Sequence, residues 1–135
     1  MGYGKGVQAY RQNAVMGASP VQLVVMLYDG ALRFMEEGKR AMAAKDLETQ
    51  NHKLQRAQKI IMELMSTLNL QQGGEIAKNL LGLYSFVVNE LVEGNITDDP
   101  SRIDNAMKTM SELREGWAEI EKMPKGNSEL TTHAA

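Results

Sequence analysis

The chain contains no cysteine among its 135 residues. That excludes a disulfide framework, a thiolate metal site and a cysteine nucleophile, and it fits a reducing compartment. Histidine is nearly as scarce. Only His52 and His133 occur, and neither has a glutamate three residues before it, so the paired Glu-x-x-His ligands of a di-iron bundle are missing. A glycine-rich phosphate loop and a recognisable nucleophile motif are missing too, and the chain is not expected to be an enzyme or to need a cofactor or metal. No apolar run approaches the ~18 residues that suggest a membrane span. The first residues lack the charged, then apolar, then small pattern of a secretory signal. No membrane insertion is expected. Charge of one sign is also absent, since 15 basic residues are mixed with 17 acidic ones, and no basic stripe points to nucleic acid.

Strand-like alternation is absent, and the three prolines, at positions 20, 100 and 124, all stand near expected helix boundaries. What is present reads as helix. The stretch around which the rest is organised is Ser19–Leu32. Ser19 suits an N-cap, Pro20 suits the first helical position, and Gln22 can reach back to close a capping box. Leu23 to Tyr28 then gives six consecutive non-polar residues, too many for one face, so this helix is expected to pack on two sides.

The spacing predicts four helices. The first covers about residues 20–44, with Val24, Leu27, Ala31, Phe34/Met35, Gly38 and Met42 as its seam. The second covers about 47–70, capped by Asp46, with Leu47, Leu54, Ala57, Ile61, Leu64 and Leu68 inward. The third covers about 75–93 and carries two seams, Ile76/Leu80/Leu83/Val87/Leu91 and Ala77/Leu81/Tyr84/Val88/Val92, with Gly94-Asn95 expected to stop it. The fourth follows Asp99-Pro100 with a single stripe of Ile103, Ala106, Met110, Leu113, Trp117 and Ile120 and ends at Pro124. Four such helices with short loops make an all-α, antiparallel, up-down-up-down four-helix bundle. Residues 1–18 are read as an N-terminal arm with a short helical cap, 19–122 as the bundle, and 123–135 as a tail expected to be disordered.

The apolar side chains exceed what one narrow seam consumes. Either the core is wide, or a groove accepts an amphipathic or extended partner segment. Helical geometry nominates Ile60, Leu64, Leu81, Tyr84 and Val88 as groove residues. Ten methionines suit core gaps and adaptable surfaces alike. An alternative is a histidine phosphotransfer-like signalling bundle with His52 as acceptor. Its disfavouring feature is local: Gln55 and Arg56 occupy the third and fourth positions after the histidine, where such domains carry lysine and glycine.

Read in order, several segments resemble the FliS family, the flagellin export chaperones. They are Ala9-Tyr10, Ala18-Ser19-Pro20, Gln22-Leu23 and Met26-Leu27-Tyr28-Asp29-Gly30-Ala31. Further on come Ala57-Gln58-Lys59-Ile60-Ile61, Leu64, Leu68, Gly73-Gly74-Glu75-Ile76-Ala77, Asn79-Leu80 and Leu83-Tyr84, and then Leu91, Asn95, Leu113 and Trp117. No single motif is decisive, but the ordered set is specific. The resemblance implies a cytosolic bundle that binds the disordered C-terminal segment of flagellin, blocks premature polymerisation and aids delivery to the flagellar type III export gate, an export-gate protein being a further partner. Tyr10 matches the family's N-terminal tyrosine and is expected to act as a lid over apolar surface. Gly94 and Gly38 depart from the commoner residues at their positions. Self-association is left open.

Overall fold

The computed structural model describes residues 17–123. Tyr10, Pro124, His133 and nearly all of the expected arm and tail lie outside them. Among the described residues the chain is four helices and no strand: α1 Pro20–Ala43, α2 Leu47–Ser66, α3 Gly74–Thr97 and α4 Pro100–Glu121. Each helix packs mainly on its two sequence neighbours, and α4 closes the ring on α1. This is the antiparallel up-down-up-down bundle that the helical spacing predicts.

The start of α1 forms as its residues dictate. The Gln22 amide N–H donates to Ser19 Oγ at 3.2 Å, and the Ser19 N–H donates to Gln22 Oε1 at 2.8 Å, so two otherwise free donors of the first turn are satisfied reciprocally. Val21, Val24, Val25, Leu27, Tyr28 and Ala31 are all buried, so α1 does bury more than one face. Asp46 caps α2 by accepting from the Thr49 N–H at 3.2 Å, and Asp99 caps α4 by accepting from the Ser101 N–H at 2.9 Å. The hydrogen bonds from Thr49 and Ser101 hold these two carboxyls below the usual carboxylate range.

Two boundaries differ from the sequence reading. α2 ends at Ser66, four residues before the expected end. The Thr67 hydroxyl donates to the Leu64 carbonyl at 2.7 Å, and Asn69 Oδ1 accepts from the Gln72 N–H at 3.0 Å. These local bonds offer the backbone an alternative to another helical turn. α3, by contrast, runs straight through Gly94-Asn95 and stops at Asp98, which takes the left-handed conformation at φ 53°. Gly94 is a place of close approach instead of a stop: a Cβ there would lie 2.7 Å from Ile103 Cδ1 and 3.2 Å from the Asp99 carbonyl oxygen.

The α3–α4 corner is tied to α2. The buried Gln50 side chain donates through Nε2 to Asp98 Oδ1 at 2.8 Å and lies 3.0 Å from Asn95 Oδ1. Asn95 Nδ2 donates in turn to Asn51 Oδ1 at 2.9 Å. One end of the bundle is thereby closed by a polar network, while the apolar layers lie below it.

Candidate functional site

The site begins with the way α3 is rotated about its own axis. Glu90 is buried, and it faces α4: Oε1 accepts from Arg102 Nη1 at 3.0 Å and Oε2 from Asn105 Nδ2 at 2.9 Å. Residues four, seven and fourteen positions before Glu90 must share that flank, because those intervals return to the same side of a helix. They are Phe86, Leu83 and Ile76. Near Glu90 the seam is closed by the ion pair and by Gly94 against Ile103. Further down it is open, and Ile76, Leu83 and Phe86 remain 45%, 39% and 44% exposed. On the facing flank of α4, Leu113 and Ile120 lie one turn to either side of Gly116 and are partly buried against the core. Gly116 lies two heptads after Arg102, on the same side, and a Cβ added to it would meet nothing within 4 Å. The result is an exposed apolar row on the α4-facing flank of α3. Met62 and Leu70, at and beyond the end of α2, add exposed apolar surface at the same end of the bundle.

The sequence-predicted groove residues fall elsewhere. Ile60, Leu64 and Tyr84 are in the core, at 4%, 1% and 0% exposure, and have no surface to offer in this conformation. Leu81 and Val88 sit together on the opposite flank of α3, turned away from the Glu90 side, and are partly buried. Leu83 and Ile76, expected within a buried seam, are the exposed pair, and Leu47, expected inward on α2, is 61% exposed. Phe86 escaped the sequence reading altogether. Its signal was its spacing, one turn before a glutamate that interrupts the apolar row.

Tyr84 has a different role from the one its spacing suggested. Its hydroxyl lies 2.5 Å from that of Tyr28, and Trp117 Nε1 donates to the Tyr28 oxygen at 3.1 Å. The two tyrosine rings meet edge-on, with centroids 6.2 Å apart, a favourable aromatic geometry. Burial pushes the Tyr84 phenol up to about 12 and raises that of Tyr28 further, with Tyr84 adding to the effect. Both therefore stay neutral donors and acceptors. Three N–H or O–H protons meet two phenol oxygens here, so one tyrosine proton is left over. Among the described residues no acceptor takes it.

His52 is exposed on α2, and Gln55 donates its Nε2 to Asn51 Oδ1 at 3.0 Å. Among the described residues no group of three or more acidic, histidine or cysteine side chains is arranged to hold a metal. No described helix is long and apolar enough to cross a membrane.

Fold and groove together define a class: an all-helical bundle that leaves apolar surface exposed along one seam, with its polar chemistry spent on holding helices together. Comparison with known proteins gives the particular family. The model of "Flagellar protein FliS" matches residues 3–124. A flagellar secretion chaperone FliS from Vibrio cholerae is 36% identical over 118 residues, covering 84% of this chain and 87% of that protein. The flagellar secretion chaperones FliS of Campylobacter jejuni and Bacillus subtilis are 36% and 34% identical, covering 83% and 81% of this chain and 88% and 80% of their own. The chain belongs to the FliS family.

Proposed function

We propose that this protein is a cytosolic flagellin chaperone that holds the C-terminal segment of flagellin against the open α3–α4 seam. It prevents premature polymerisation and passes its cargo to the flagellar type III export gate, without catalysis. The observation that carries the reading is the exposed row Ile76, Leu83 and Phe86, which has the i, i+7, i+10 repeat that an amphipathic partner helix reads as anchors. A disordered partner loses conformational freedom on folding, so it needs a continuous apolar surface to offset that loss. Three large half-exposed side chains on one flank of α3 supply one. The Tyr10 lid, on the arm outside the described residues, belongs to the same proposal as a cover for this surface before cargo arrives.

The test is calorimetric titration with a peptide spanning the C-terminal segment of the organism's own flagellin. A 1:1 complex with strongly negative ΔCp and helix gain in the peptide is expected. Each anchor buries on the order of 1.5 kcal/mol or more of apolar free energy, so Phe86→Asp or Leu83→Asp should weaken binding about tenfold or more. Absence of binding would defeat the reading. Binding indifferent to both substitutions but weakened by Leu81→Ala and Val88→Ala would move the site to the α2 side of α3.

A further inference from the structure

The opposite side of the bundle carries a second feature. The Phe34 ring, on α1, is ringed by three cations: the guanidinium carbons of Arg33 and Arg56 lie 5.5 Å from its centroid and Lys53 Nζ lies 5.6 Å away. Lys53 and Arg56 come from α2, so the cluster spans the outer α1–α2 seam. Elsewhere the cations that bridge helices end on carboxylates: Lys39 on Asp104 at 2.7 Å, Arg102 on Glu90 at 3.0 Å, and Arg114 on Asp29. In the Phe34 cluster only Lys53 does, with Glu37 at 3.5 Å. Among the described residues Arg33 and Arg56 make no ion pair or hydrogen bond, and Arg56 Nε is buried without an acceptor.

That arrangement is unfavourable on its own terms. Three like charges are gathered on one ring, whose quadrupole offsets only part of their repulsion. The chain has more acidic than basic residues, so a shortage of available carboxylates does not explain two unpaired guanidiniums. We propose that Arg33, Lys53 and Arg56, displayed around Phe34, are a docking surface for an Asp/Glu-bearing segment of a protein partner. Guanidiniums present planar, paired donors that match a carboxylate. The half-buried ring between them gives the partner's neighbouring side chains an apolar contact. The extent of the patch separates the candidate partners. Anionic membranes recruit clusters of roughly four to eight basic residues, and a duplex is followed by a longer cationic track, whereas three cations on one ring suit two or three carboxylates of a peptide. The surface is independent of the α3–α4 groove.

The test uses the full chain with 15N-labelled arginine, titrated with a short peptide of alternating Asp and Glu and with its Asn/Gln counterpart. Saturable shifts of the Arg33 and Arg56 Nε–Hε signals are expected with the acidic peptide only. Arg33→Gln combined with Arg56→Gln should weaken that binding roughly tenfold, and Glu37→Gln, which removes the competing carboxylate, should tighten it about twofold. Arg40→Gln, at an exposed cation outside the cluster, and Leu83→Asp should leave it unchanged, which keeps this result separate from failure of the groove. No saturable shift, an equal loss with Arg40→Gln, or equal or tighter binding to inorganic phosphate, duplex DNA or anionic vesicles would overturn the proposal.

Discussion

The α1–α2 seam and the α3–α4 seam are built from the same residue types, yet one is shut along its length and the other is shut only at the top. In α1, Gly38 lets the helix approach α2 so closely that a Cβ would stand 2.5 Å from Leu54 Cδ2, whereas a Cβ at Gly30 would meet Ile60 Cδ1 at an ordinary 3.6 Å. In the second seam Gly94 does this work once, near the corner. Gly116 on α4 has nothing within 4 Å of an added Cβ, and Gly82, two residues from both buried Leu80 and buried Tyr84, lies on the solvent side of α3. Glycine thus means close packing in one place and vacancy in another. The difference teaches that a glycine's meaning is set by the helix that faces it, not by its own helix.

Substitutions at these glycines should separate the two seams. Gly38→Val should have the largest effect, lowering stability by about 3 kcal/mol through overpacking against a fully buried Leu54, read as a fall in the denaturant midpoint at unchanged slope. Next come the tyrosines that link α1 to α3. Tyr28→Phe removes the shared acceptor, leaving both Trp117 Nε1–H and the Tyr84 hydroxyl proton unpaired, and should cost about 2 kcal/mol. Tyr84→Phe loses one bond but leaves no more orphaned protons than before, so it should cost about 1 kcal/mol. Equal losses in chemical denaturation would mean that the triad is not wired as described. The smallest effect belongs to the open seam: Gly82→Ala and Gly116→Ala should each stabilise by about 0.5–1 kcal/mol, because they gain helix propensity and meet no clash. A destabilisation at Gly116 would show that the seam is closed in solution.

Local signals made much of this fold legible. The Ser19-Pro20 and Asp99-Pro100 starts are set by bonds within one turn, and both helices begin where those residues place them. Tertiary effects were the ones that escaped. Gly94 has the composition of a helix stop, but Ile103 packs against it across the seam, and only the second helix reveals the reason for a glycine. The rotation of α3 is hidden in the sequence for a related cause. Periodicity shows that α3 has apolar residues on two flanks, but it does not say which flank meets α2 and which meets α4. That orientation is fixed by Glu90, a charged residue within an apolar row, through Arg102 and Asn105. Once it is known, Leu83 and Phe86 fall on the open side, while Leu81 and Val88 turn away. Tyr84 was read as a surface anchor because a large aromatic at helical spacing looks the same in sequence whether its hydroxyl meets solvent or a second tyrosine.

Trp117 is the chain's single tryptophan and is 5% exposed. Indole emission responds to polarity and to hydrogen bonding at the ring nitrogen, and that nitrogen donates here to the Tyr28 oxygen. The protein therefore carries its own optical gauge, one that needs no label. Its emission reads the buried contact between α4 and α1, and the cationic α1–α2 face holds no tryptophan of its own.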